Sequence, residues 1–201
     1  MPTRLTFISH APTSAQRLSA FPADEPIEES ALIKIAAINW QSPRAQHILT
    51  APEFRTRQTA EALNLTATPT HELRDIAYNI WQGRTLASLH SEDPEAITQW
   101  LTNPTAAPHG GESITHLITR IAAWLDRLAT EATDTSIHSI AITHPAVIRA
   151  ASLHTLNAPP QSFWRIDIAP ITLTDLRHNG RTWTLRSTAV PLTARDSIET
   201  P

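Results

Sequence analysis

The chain of 201 residues has no cysteine, which excludes disulfides, thiolate metal sites and a cysteine nucleophile together. Lysine is almost absent as well. Lys34 stands alone among 16 basic residues, so nearly every cation is an arginine suited to bidentate anion contacts. The net charge of -3 comes without charge blocks, which argues against a nucleic-acid or membrane-surface partner. No apolar run approaches membrane-spanning length. Met1-Pro2-Thr3-Arg4 leads straight into strand-forming residues, without the apolar core of a signal peptide. A soluble, cytoplasmic protein is expected. The apolar share of 41% is that of an ordinary globular protein.

Apolar periodicity predicts alternating strands and helices. Helical spacing marks Ile27 to Trp40 and, most regularly, Ser113 to Thr130. Shorter helices are expected over Thr13–Phe21, Arg55–Leu63, Leu86–His90, Pro94–Thr102 and Val147–Leu156. Strands are expected at Leu5–Ile8, Gln46–Thr50, Thr68–Leu73, Ser139–Thr143, Phe163–Ile168, Ile171–Leu176 and Thr182–Arg186. His178-Asn179-Gly180 reads as the turn of a hairpin. The fold class is therefore α/β, a three-layer α/β/α sandwich with a mostly parallel sheet and an antiparallel hairpin near the C-terminus. Residues 1–188 read as a single domain and 189–201 as a loosely ordered tail.

Two strands end alike, Phe7-Ile8-Ser9-His10 and Ile142-Thr143-His144-Pro145. In one parallel sheet both imidazoles reach the same edge, where ligands of open α/β sheets bind. Arg55 opens the helix after a third strand at that edge. Two histidines and an arginine make an anion pocket, most naturally for phosphate. A histidine there can attack phosphorus, and a carboxylic acid must then protonate the leaving oxygen. Asp75 and Glu112 are the candidates, although Glu112 also reads as a first-turn helix charge. The other eight histidines show no ligand spacing, so neither metal nor cofactor is expected.

Five segments in order resemble the histidine phosphatase (phosphoglycerate mutase-like) superfamily, in its small phosphatase branch. Ser9-His10-Ala11 stands at the place of Arg-His-Gly, and Arg55-Thr56-Arg57-Gln58-Thr59-Ala60 matches the arginine helix. Leu73-Arg74-Asp75-Ile76 with Asn79-Ile80-Trp81-Gln82-Gly83 is similar to Leu-x-Glu-Ile and Gly-x-Trp-Glu-Gly. Gly110-Gly111-Glu112-Ser113 and Thr143-His144-Pro145-Ala146-Val147-Ile148-Arg149-Ala150 match the last two. The resemblance implies a metal-independent phosphomonoesterase with a phosphohistidine intermediate, acting on a small phosphorylated metabolite. His10 is then the nucleophile, Arg55 and His144 hold phosphoryl oxygens, and Asp75 is the acid. Phe163 to Pro170 is similar to relatives grouped with α-ribazole phosphatase, which suggests a substrate like α-ribazole phosphate.

Ser9 departs from the family, which has there an arginine that binds the phosphoryl group. Arg17 is the nearest arginine and is expected to face the pocket in its stead. If the charge is not replaced, the resemblance implies instead an impaired relative that binds a phosphorylated ligand or a protein. A phosphoglycerate mutase-type phosphotransferase is the third reading. The oligomeric state stays open between monomer and dimer.

Overall fold

A computed structural model describes residues 3–131 and 136–194. Its strands are β1 (Thr3–Ser9), β2 (His47–Thr50), β3 (Thr68–Pro69), β4 (Ile137–Thr143), β5 (Thr172–His178) and β6 (Trp183–Pro191). They form one sheet in the order β3-β2-β4-β1-β5-β6. β1, β2, β3 and β4 pair in parallel, while β5 runs antiparallel to both β1 and β6. The helices are α1 (Ser14–Arg17), α2 (Glu29–Ile38), α3 (Phe54–Ala62), α4 (Leu86–Glu92), α5 (Pro94–Thr102), α6 (Ile114–Glu131) and α7 (Pro145–Leu156).

Successive side chains of a strand point to opposite faces, and the two central strands use both. Leu5 and Phe7 of β1 and Ala141 of β4 pack with Leu117, Ile121 and Trp124 of α6 and Val147 of α7. Ile8 of β1 and Ile140 and Ile142 of β4 join Ile35 of α2 and Ala60 of α3 on the other face. The expected three-layer α/β/α arrangement is therefore present. Among the described residues no helix is long and apolar enough to cross a membrane.

Two expected strands are mostly something else. Only Thr68–Pro69 of the segment 68–73 is strand, and His71–Leu73 is a 3-10 turn. Pro69 has no N–H to offer the ladder, and the N–H of Thr70 makes the last rung to Thr50 O. The segment expected as a strand from Phe163 is instead the end of a 3-10 helix, Pro160–Arg165. Pro160 stands at its first position, where a fixed φ starts a helical turn, and Phe163 alone fills the core. At the C-terminal end β6 runs to Pro191, and buried Leu192 donates its N–H to Ile171 O. Residues 189–191 thus belong to the sheet rather than to a tail, and 195–201 lie outside the described residues.

Ser9 ends β1 as a fully buried knot. Its hydroxyl donates to Ala169 O at 2.6 Å and accepts the Thr172 N–H at 3.0 Å, while its carbonyl accepts from Ile171 N–H. One small hydroxyl thereby ties the central strand to the turn before β5. Ser9→Ala is expected to destabilise the fold by about 1–3 kcal/mol, because it strands the buried Thr172 N–H. Urea unfolding measures this.

Candidate active site

β1 and β4 pair in parallel with Ser9 opposite Thr143, and the His10 N–H continues the ladder to Thr143 O at 2.9 Å. The next residue on each strand is therefore a histidine, and the two rings lie edge to face with centroids 5.2 Å apart. Both are buried. After His144, Pro145 takes the first position of α7, where its missing N–H costs nothing. β2 pairs with β4 on the other side, so α3 begins at the same edge and brings Arg55, which is 2% exposed.

The His10 ring nitrogen Nδ1 lies 2.8 Å from Ala11 O. A carbonyl only accepts, so Nδ1 carries the proton and Nε2 keeps its lone pair. Burial, followed by the charges of His144 and Arg55, pushes this imidazole down to about 3. His10 is neutral at physiological pH, the form a nucleophile needs.

His144 donates Nε2–H to Glu53 Oε2 at 2.8 Å, and its Nδ1 lies 3.4 Å from Asp75 Oδ2. Glu53 was not singled out in the sequence. It stands at the N-cap of α3 and accepts the Asp75 N–H with its other oxygen, binding the Asp75 loop to His144. Burial opposes the charge of Asp75, yet His144, Arg55 and His10 outweigh it and hold the carboxyl below the usual range. Burial likewise opposes the charge of Glu53, but its hydrogen bond from His144 keeps it low. Arg55 Nη2 donates to Asp75 Oδ2 at 2.6 Å, and Nη1 lies 3.8 Å from Asp24.

A cavity of about 230 Å³ opens on this cluster, lined by His10, Thr13, Gln16, Arg55, Asp75, Tyr78 and Arg149 among others. Arg149, four residues into α7, is the second residue that sequence reasoning left without a role. Its Nε donates to Ile166 O at 2.7 Å, and its guanidinium lies over Phe163 and Trp164. Among the described residues it has no ion-pair partner. Its signal was available in the sequence, one helical turn after His144, on the face that looks back toward the strand end.

Three expected contacts lie elsewhere. Arg17 is exposed and pairs with Glu28 at 3.0 Å, because α1 is one turn long and presents that position to solvent. Ser9 is spent on the Ala169–Thr172 turn. Glu112 binds Arg120 through both oxygens, at 2.8 and 2.6 Å, and Arg120 in turn holds the carbonyls of Glu72 and Arg74. Gly111 makes this closure possible: a Cβ there would stand 1.6 Å from Ala77 O. The Gly110–Ser113 turn therefore positions the Asp75–Tyr78 loop without entering the cavity. Among the described residues no group of three or more His, Asp or Glu is arranged to hold a metal ion.

Residues 23–191 match the family model for the histidine phosphatase superfamily (branch 1). The chain belongs to this superfamily. The match begins after β1, so the place of His10 rests on the strand register and the ring geometry. A bifunctional protein of Mycobacterium tuberculosis is 24% identical over 190 residues, covering 89% of this chain and 52% of that protein. The chain spans about half the length of the curated relatives it matches. Among solved structures, mycobacterial glucosyl-3-phosphoglycerate phosphatase is similar with a TM-score of 0.79 and 21% identity, covering 94% of this chain and 100% of that one. The α-ribazole phosphatase of Shigella flexneri gives 0.82 and 19%, covering 94% and 98%. A phosphoserine phosphatase mutant of Entamoeba histolytica gives 0.77 and 17%, covering 93% and 96%.

The depressed His10 has a consequence for stability. Between its unfolded value of 6.5 and its folded value of about 3 the unfolded chain binds the extra proton. Stability is therefore greatest above pH 6.5 and falls by about 1.4 kcal/mol per pH unit in that window. Buried His109 and partly buried His138, also lowered, act in the same sense. Asp75 and Glu53 add losses only as the pH falls through their still lower values. Urea unfolding of wild type and His10→Asn at pH 7 and pH 5 isolates the first part: the variant is expected to lose less stability on acidification.

Proposed function

We propose that the chain is a metal-independent phosphomonoesterase acting through a phosphohistidine at His10. The observation that carries this reading is the cavity itself, where an unprotonated Nε2 on His10 shares one space with Arg55 and Arg149, beside His144.

In this reading the phosphoryl oxygens lie between Arg55, Arg149 and His144, and His10 Nε2 attacks phosphorus as the bond to the alcohol oxygen breaks. The leaving oxygen takes its proton from Asp75. That carboxyl is ionised in the free site, held by His144 and Arg55. An incoming phosphate dianion competes for the same two cations and adds negative charge, which raises the affinity of Asp75 for a proton. After the alcohol departs, Asp75 takes a proton from water as the oxygen attacks the phosphohistidine, and phosphate and neutral His10 are restored. Histidine attack and release need no resident cofactor.

Arg149 answers the question raised by Ser9. It places a guanidinium on the cavity wall and is pinned by Ile166 O and two aromatic rings rather than by a carboxylate. Charge lost from the end of β1 is thus returned from the first turns of α7. This favours turnover over the impaired, binding-only reading. The structural relatives are named for three unrelated alcohols, a glucosylated glycerate, a nucleoside and serine. The alcohol taken by this chain, including one like α-ribazole, depends on walls of its own.

His10→Ala is expected to lower kcat on an aryl phosphate by at least about 10³-fold, while chelators leave the wild type unaffected. An alkaline denaturing quench during turnover is expected to trap phosphate on His10. Arg149→Ala is expected to lower kcat/KM by about 10²–10³-fold, and Arg17→Ala to leave it within about twofold, as a solvated surface pair should. Activity that survives His10→Ala, or loss at Arg17 in place of Arg149, contradicts the assignment.

A further inference from the structure

The cavity over His10 adjoins a second one. A groove of about 280 Å³ is lined by Ser19, Ala20, Phe21, Pro22, Tyr78, Leu86, Trp100, Leu101 and Trp164, and three of these, Ala20, Pro22 and Tyr78, also line the anion cavity. Each space alone falls short of the roughly 300 Å³ at the low end of small-molecule sites, and only the two together reach it. Their chemistry is divided. Every charged side chain is in the first cavity, whereas the second has four aromatic rings, aliphatic side chains and one serine.

The groove is built rather than incidental. The backbone of Ser19–Phe21 is laced to 83–86 by hydrogen bonds from Phe21 N–H to Arg84 O, Gly83 N–H to Phe21 O and Leu86 N–H to Ser19 O, at 2.8–2.9 Å. Phe21 packs on Tyr78 with ring centroids 5.0 Å apart, and Trp100 meets Tyr78 at 6.1 Å and Trp164 at 5.9 Å, both edge to face. Yet Trp164, Leu101 and Leu86 remain 40%, 46% and 38% exposed. A preformed apolar wall open to solvent beside an anion cavity invites an apolar occupant.

We infer that the substrate is a phosphomonoester whose alcohol carries a flat apolar ring system, which lies against the open wall of Trp164, Leu101 and Leu86 while its phosphoryl group reaches His10. This rests on the phosphomonoesterase reading and adds the substrate class. Continuity through Tyr78 commits the groove to the same molecule that fills the anion cavity. A polyol or sugar there would bury hydroxyls against rings that offer them few partners. An aromatic body offers area and edge-to-face contacts with the rings already in place.

The test compares 2-naphthylmethyl phosphate with glycerol phosphate, two esters of primary alcohols whose leaving groups differ little in chemistry. For the wild type the naphthylmethyl ester is expected to have the higher kcat/KM by about 10- to 100-fold, the worth of one well-buried apolar group. Leu101→Ser and Leu86→Ser are expected to shrink that ratio through KM. Because the ratio is internal to each variant, partial misfolding lowers both rates and leaves it unchanged. Binding of 2-naphthylmethylphosphonate to His10→Ala, followed by tryptophan fluorescence, reads the groove without turnover and is expected to weaken in the same two variants. An unchanged ratio alongside His10-dependent hydrolysis overturns the groove and leaves the phosphatase standing. Phosphonate binding that depends on Leu101, without hydrolysis of either ester, supports the groove and removes the phosphatase reading. A dimer at assay concentration that Leu101→Arg dissociates gives the face to a second copy of the chain and overturns the inference.

Discussion

The parallel register between β1 and β4 is the constraint on which the rest depends. Pairing Ser9 with Thr143 makes His10 and His144 neighbours where the carboxyl ends of both strands leave the sheet. A register slip of one residue would send every side chain of one strand to the opposite face, and the core prevents it. Leu5 and Phe7 must meet α6 while Ile8 must meet α2 and α3. Packing of ordinary apolar side chains therefore sets the ring separation of 5.2 Å between the two buried histidines.

Burying that pair together with Arg55 and two carboxylates is expensive unless each polar group has a partner. The chain supplies most of them, while Arg55 Nε and His144 Nδ1 stay buried without a hydrogen-bond partner among the described residues. Glu53 takes the His144 N–H and the Asp75 N–H, and Asp75 takes Arg55. The network leaves two groups uncommitted to carboxylates, the lone pair of His10 Nε2 and the guanidinium of Arg149. The same low dielectric that keeps His10 neutral makes the arginines effective on an anion. Ser9 and Glu112 serve this arrangement from outside, by holding the chain on which the site is mounted.

Elements whose own composition decides their state were legible in the sequence. The period of Ser113–Thr130 became α6, the buried run Ser139–Thr143 became the end of β4, and Asn179-Gly180 turned the last hairpin. The segments misread, 68–73 and 163–168, carry apolar residues at spacings that suit a strand or a turn. There, proline and the position of a neighbour decided the outcome. Glu53 carries no distinctive local pattern, since an acidic N-cap is a common surface choice, whereas Arg149 stood within the His144 segment and was given no role. Arg17 looked the better candidate only because it is closer to Ser9 along the chain.

By itself the sequence determined the layered α/β architecture, the convergence of His10, Arg55 and His144 at one sheet edge, and the family. Strand and helix periods and the residues at strand ends are local properties of the chain. Which further arginine lines the cavity, which carboxylate holds which imidazole, and which apolar side chains line an open groove were decided only by the tertiary structure. Those depend on groups from distant segments meeting: Arg149 on Ile166 and Trp164, Glu53 on His144 and Asp75, Phe21 on Tyr78. A side chain's charge and reach are written in its residue type, but its partner is set by packing across the whole chain.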